Sequence, residues 1–318
     1  MIPIFKSRWG GQLMAFVRFK NALGSPYVRS IGTLLSFDRF AASSAWRQSK
    51  DLAAIMSGWL IRYGGHKPVT VTNYLAAFRQ FCCFRRRYDS TAFVPDRSWA
   101  PQSTESSFLP HIFSAQEIQR IIADTSRIRG TQRTRRCYRL LVVVLYCTGL
   151  RIGEALGIRR KDLDLRRACF RVGPSKGRAR WVPFHRDLAG ELRRWLKEDC
   201  PADISPDAFV FAEDDGRQRR VKNVSHNLRS LFRRCGLKPA TGRIGPRCHD
   251  LRHTMAVHRL QRWYREGRDL HRMLPWLSAY LGHRNLLGTE HYLHATPELL
   301  AVASRRLQRQ LHFAPSPS

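Results

Sequence analysis

Tyr292 closes a run of chemically capable residues that begins at Arg151. Upstream of it stand Leu281-Gly282-His283, then His249-Asp250-Leu251-Arg252-His253, then Lys176 in the turn Gly173-Pro174-Ser175-Lys176-Gly177. Thr148-Gly149-Leu150-Arg151-Ile152-Gly153-Glu154 comes first. A phenol is a weak nucleophile at its ordinary pKa of about 10 and needs nearby bases and cations to release its proton. A guanidinium stays charged and presents a planar fork of donors, which suits the non-bridging oxygens of a phosphoryl group. His249 stands three residues before Arg252, so a helix turns both to one side, and an imidazole there can take or return a proton. Charge gathers on the phosphoryl oxygens in the transition state of such a reaction, where preorganised cations act most strongly. These residue types fit attack on a phosphodiester.

In this order, the five groups resemble the catalytic domain of the tyrosine recombinases, the phage integrase family, over roughly residues 113 to 312. Each group alone is commonplace, because an Arg near Gly-Glu or a Lys in a Gly-rich turn usually means nothing. The joint order, with Tyr292 nine residues after His283, is the specific signal. The resemblance implies a site-specific recombinase that cleaves and rejoins duplex DNA through a covalent 3′-phosphotyrosyl link to Tyr292, as in the integrases of mobile elements. It also implies roles for the other positions. Arg151 and Arg252 hold the phosphoryl oxygens, and His249 is general base toward Tyr292 or general acid in the reverse step. Lys176 protonates the departing 5′-oxygen, and His283 hydrogen-bonds the scissile phosphate.

Such enzymes assemble on double-stranded DNA, so a homo- or hetero-oligomer, a tetramer, is expected. Neither a cofactor nor a metal is expected. The nucleotide motifs GxxxxGK[ST] and GxGxxG are missing, and His283, His291 and His294 match no metal-ligand spacing. Two carboxylates follow Arg151. Glu154 and Asp162 are candidates to orient it, and Asp162 fits an ordinary salt bridge equally well. One departure from the family pattern is the 31-residue step from Arg252 to His283, several residues more than is common. The surplus around Arg262 to Pro275 reads as a loop extension that shapes an interface or repositions His283. Two other readings stand beside the first: a type IB topoisomerase-like enzyme, and a DNA-binding accessory protein without cleavage activity. A complete set of six residues argues against the second.

Composition points the same way. Lys and Arg total 56 against 24 Asp and Glu, giving a net charge of +32 spread along the 318 residues. A compact chain this basic repels itself unless a polyanion offsets the charge, so nucleic acid is the expected partner. A hydrophobic fraction of 43% is ordinary for a globular protein. No apolar run approaches the roughly 18 residues of a membrane span, and a cytoplasmic, nucleoid-associated protein is expected. The eight cysteines form no CxxC pair and read as reduced thiols.

The elements that must carry these residues are mainly helical, with a small antiparallel β-hairpin: an α+β chain. Residues 12–94 read as a helical, basic core-binding domain, 95–112 as a Pro- and Ser-rich linker, 113–312 as the catalytic domain and 313–318 as a disordered tail. In the first domain, Ser36 is placed as the cap of a helix from Phe37 to Ala45, and a longer helix runs from Val71 to Arg87. Its end, Arg85-Arg86-Arg87, is either a solvated terminus favoured by the macrodipole or a phosphate contact. In the second domain, Ser114-Ala115-Gln116-Glu117 is a capping box. Helices are expected from Cys137 to Cys147, Leu150 to Ile158, Val221 to Cys235, Leu251 to Arg265 and Leu274 to Leu281. Cys169–Val172 and Arg180–Phe184 should pair as strands, with Lys176 and Arg178 at the tip facing DNA. A last helix, Pro297 to Leu311, carries an apolar stripe that packs on its own domain or passes to a neighbouring protomer.

Overall fold

A computed structural model describes residues 4–24, 28–101, 110–173, 179–200, 205–242, 244–283 and 285–294. The chain divides into two compact units, Met1–Phe108 and Leu109–Ser318. Lys176 and Arg178 lie outside the described residues, as does the helix expected over 297–311.

The first unit packs four helices, α1 (Gly10–Ala22), α2 (Val28–Ala41), α3 (Leu52–Ile61) and α4 (Pro68–Arg85). Their shared core is aromatic, with Phe16, Phe37, Trp59, Phe78 and Phe81 almost fully buried. Trp59 meets Phe37 edge-on at 5.6 Å, the geometry that ring quadrupoles favour. Asp51 caps α3 by accepting from the amides of Ala53 and Ala54. Pro68 opens α4 at a position where its missing N–H costs nothing.

Ser36 does not cap a helix. It lies inside α2, where its hydroxyl accepts from Trp59 Nε1 at 3.3 Å and pairs with the Tyr63 hydroxyl. Tertiary partners on α3 outweigh the local capping preference. Phe5 joins the core ahead of α1. Phe93, Trp99 and Ala100 pack against that core from the other end, and Arg79 bonds to the Pro95 carbonyl.

The second unit is built on α6 (Gln132–Thr148), preceded by α5 (Ala115–Asp124). Ser114 and Glu117 form the capping box of α5, with both reciprocal bonds present. Thr131 caps α6 through the Thr134 amide. After the short α7 (Ile152–Leu156) comes a three-stranded antiparallel sheet of β1 (Leu163–Asp164), β2 (Cys169–Val172) and β3 (Arg180–Pro183) in that order. Val172 faces Arg180 across the last pair before the 173–179 connection. The two-residue β1 carries too little pattern to be read from sequence.

Next come α8 (Arg186–Glu198), a helix not expected from the sequence, α9 (Val221–Arg234), α10 (Asp250–Arg265), α11 (Leu270–Leu281) and α12 (Leu287–His294). Phe113, Leu141, Val142, Phe170, Phe211, Leu228, Phe232 and Leu251 form one core. A second cluster from α10 and α11, including Val257, Leu260, Leu277 and Leu281, receives Tyr292 of α12. No helix among the described residues is long and apolar enough to cross a membrane.

The surplus between Arg252 and His283 is mostly helix, not loop. Gly267, at φ 75°, ends α10. Asp269 then restarts the chain as α11 by accepting from the His271 amide at 2.9 Å. Pro275 lies within α11, near enough to its start that one backbone bond is lost.

Candidate active site

Two left-handed glycines shape the site. Gly149 caps α6 at φ 61°, and Gly282 caps α11 at φ 68°. Side chains rarely adopt this conformation, and here there is also no room for one. A Cβ at Gly149 would stand 2.3 Å from the Met255 terminal methyl, and one at Gly282 would stand 2.6 Å from Arg180 Nη1. The Thr-Gly-Leu-Arg and Leu-Gly-His motifs are thus sharp helix exits that aim Arg151 and His283 inward.

Arg252 reaches between those two exits from the third residue of α10. Its Nη1 donates to the Gly149 carbonyl at 2.7 Å and its Nη2 to the Leu281 carbonyl at 2.6 Å. The side chain is 1% exposed. Its Nε–H is buried without a hydrogen-bond partner, and no carboxylate pairs with it among the described residues. A buried cation set against two carbonyls and a phenol, with no carboxylate beside it, is costly unless an anion completes it.

Arg151 follows Gly149 and Leu150 as the N-cap of α7. Its backbone amide donates to Glu154 Oε2 at 3.0 Å and its Nη1 to Glu154 Oε1 at 2.8 Å. Glu154 is buried, and its carboxylate also accepts from Arg180, which the sequence did not single out. Burial alone would raise the Glu154 pKa, but the bonds from Arg180 and Arg151 win and hold it down to about 2. Asp162 is elsewhere. Its carboxylate accepts from the Arg159 amide at 3.2 Å, not from Arg151.

The aromatic side of the site is a chain of rings. His249 meets His253 at 4.8 Å, His253 meets Tyr292 at 5.4 Å, and His283 stacks on Tyr292 at 6.3 Å and 25°. His283 Nδ1 lies 2.7 Å from the Thr289 hydroxyl, which fixes the ring against the start of α12. Lost hydration, followed by the charges of Arg252 and Arg151, pushes the His283 pKa down to about 4. His249 shifts the same way. Its outer edge meets solvent, while its packed face loses water and feels His253 and Arg252. Both imidazoles are neutral at pH 7 in the free protein. Tyr292 is 2% exposed. Burial raises its pKa, and the neighbouring Arg252 and Arg151 oppose that rise.

Five of the six expected residues therefore converge: Arg151, His249, Arg252, His283 and Tyr292. His253 and Thr289 join them unannounced. His253 was legible as the last residue of its motif, whereas Thr289 and Arg180 carry no local signal. In the first unit, Arg85 stacks over Trp9 at 4.5 Å and bonds Gln12, Arg87 covers Phe19 at 4.8 Å, and Arg86 bonds the Ser90 carbonyl.

A phenol beside two guanidiniums and neutral imidazoles, on this mainly helical framework, defines a class of phosphoryl-transfer sites. Residues 112–298 match the phage integrase family, and the chain belongs to that family, the tyrosine-type site-specific recombinases. It is 32% identical to the provisionally named integrase/recombinase y4rB of Sinorhizobium fredii, over 93% of this chain and 95% of that one. Two solved structures share the fold. The XerH site-specific recombinase bound to palindromic difH substrate, a post-cleavage complex, superposes with TM-score 0.66 at 20% identity, covering 93% of this chain and 84% of that one. The Tn1549 transposon integrase with transposon right-end DNA gives 0.65 at 18%, covering 94% and 98%.

Proposed function

We propose that this recombinase is the integrase of a mobile element and that Tyr292 is its nucleophile. The observation that carries this is the buried Arg252 guanidinium, which donates to two carbonyls, has no carboxylate partner among the described residues and lies against the Tyr292 phenol, whose ionised form it favours. A scissile phosphate supplies the missing anion. Tyr292 Oη attacks phosphorus, the P–O5′ bond breaks, and the phosphate stays on the phenol as a 3′-phosphotyrosyl ester. The phenolic proton passes to His249, which is neutral in the free protein and gains basicity once the negative phosphate lies beside it. Lys176 delivers a proton to the departing 5′-oxygen. Arg151 and Arg252 neutralise the non-bridging oxygens, and His283 donates to one of them. Attack by a 5′-hydroxyl of the partner strand reverses the sequence and needs neither ATP nor a metal.

The basic first unit serves as the core-binding domain, with Arg85, Arg86 and Arg87 against phosphate. Arg178 adds a contact at the hairpin tip. Four copies assemble on DNA in the cytoplasm. Similarity to y4rB over nearly the whole chain, and of fold to a transposon integrase, supports the mobile-element reading.

The test starts from DNA bound by Tyr292→Phe out of a randomised duplex pool, rebuilt with a nick next to the cleavage point. Wild-type protein should form an SDS-stable adduct on it, and Tyr292→Phe should bind it without one. An adduct that survives Tyr292→Phe would assign the nucleophile elsewhere. Relaxation of supercoiled plasmid lacking any selected site would favour the topoisomerase reading.

A further inference from the structure

Arg180 begins β3 and is partly buried, with its side chain 12% exposed. Its Nη2 donates to Glu154 Oε2 at 2.9 Å, its Nη1 to Glu154 Oε1 at 3.3 Å, and its Nε to the Tyr280 carbonyl at 2.9 Å. A carboxylate offers about four lone-pair sites. Glu154 fills them with two donors from Arg180 and two from Arg151, its amide and its Nη1. Arg151 is therefore held by a single guanidinium N–H. Its Nε and Nη2 have no hydrogen-bond partner among the described residues, and its side chain is 25% exposed.

We propose that Arg180 is a positioning residue for strand cleavage: by saturating Glu154 it keeps the remaining donors of Arg151 free for the phosphate. This rests on the reading of the site given above. Without Arg180, two acceptor sites on a buried carboxylate fall vacant. Arg151 already donates to that carboxylate through its Nη1, so its idle N–H groups can swing onto it, and guanidinium and carboxylate then close into the bidentate fork they prefer. That draws Arg151 inward, away from the substrate.

Arg180 acts on a second element at the same time. It fills the space left by the missing Gly282 side chain and binds the Tyr280 carbonyl. It thereby fixes the end of α11, where the Leu281 carbonyl holds Arg252 and His283 projects. Glycine at 282 is what lets the guanidinium approach.

The experiment uses full-length protein and the nicked duplex selected with Tyr292→Phe, measuring DNA affinity and single-turnover adduct formation separately. Arg180→Ala should bind within about threefold of wild type yet form the adduct about 10- to 100-fold more slowly, the usual cost of losing such a supporting partner. Adding Glu154→Gln to Arg180→Ala should restore part of that rate, because a neutral amide no longer captures Arg151. A purely structural strut predicts the reverse, a double variant no faster than Arg180→Ala. Arg180→Lys replaces Arg180→Ala if the latter does not fold, and the same loss is expected because one ammonium cannot span both oxygens and the carbonyl.

An Arg180→Ala rate close to wild type, a double variant without recovery, or failure of both Arg180 variants to fold would each overturn the proposal. If wild type gives no adduct, the proposed function fails and this role with it. If wild type reacts, Tyr292→Phe does not, and Arg180→Ala cleaves normally, only the role of Arg180 fails.

Discussion

Glu154→Gln should cost the second unit a large, acid-dependent part of its stability. In the folded protein the carboxyl ionises near pH 2 instead of 4.5. At about 1.4 kcal/mol per pH unit, that displacement is worth about 3 kcal/mol. The sign follows from the direction. A carboxyl whose folded pKa is depressed stabilises fully above pH 4.5, and the contribution is lost as pH falls toward 2. The substitution also leaves Arg180 and Arg151 without a charge partner. Breaking a fully buried pair costs about 3–5 kcal/mol, and the partial exposure of Arg151 puts the expectation at the low end.

For a unit of this size, each kcal/mol moves the melting temperature by about 2–4 °C. The variant should therefore melt about 6–12 °C lower at pH 7. At pH 3 more than half of the ionisation term should be gone, so the gap between wild type and variant should narrow. Calorimetry or circular dichroism melts at the two pH values check both numbers. A variant within about 2 °C of wild type at pH 7, or a gap of equal size at pH 3, would refute the account of Glu154 as a buried, doubly paired carboxylate.

Arg252→Lys should leave DNA binding largely intact but slow adduct formation about a hundred- to a thousandfold, since Lys cannot bridge two carbonyls and still face the phosphate; near-full cleavage would contradict this. His283, with its folded pKa lowered, makes the free protein less stable as pH falls through 6.5 toward 4, because the unfolded chain binds the proton first. His249 carries the same shift, so His283→Gln should roughly halve the histidine contribution to that pH slope in denaturant titrations, and an unchanged slope would remove His283 from the buried site. DNA affinity should fall steeply with salt, log K against log salt dropping by about 0.9 per neutralised phosphate; a flat line would mean the +32 charge serves something else.

Order and type of the reactive residues were legible in the chain because they depend on local sequence. Gly149 before Arg151 and Gly282 before His283 mark helix exits, His249 and Arg252 share a helix turn, and Ser114 with Glu117 announces the start of α5. Charge and composition likewise need only counting. What the fold alone decided involves residues distant in sequence. Arg252 meets carbonyls 103 and 29 residues away, and Arg180 joins Glu154 to Tyr280 across 26 and 100 residues. Those contacts determine which cation is buried without a carboxylate and which guanidinium saturates Glu154. Ser36 and Asp162 show the same limit from the other side. Each has a plausible role read from sequence, and each is bound differently: packing brings Trp59 to Ser36, and Asp162 caps its own short turn through the Arg159 amide. Local spacing restricts which residues can share a face, but the burial of Arg252 and the saturation of Glu154 are completed between elements far apart in the chain.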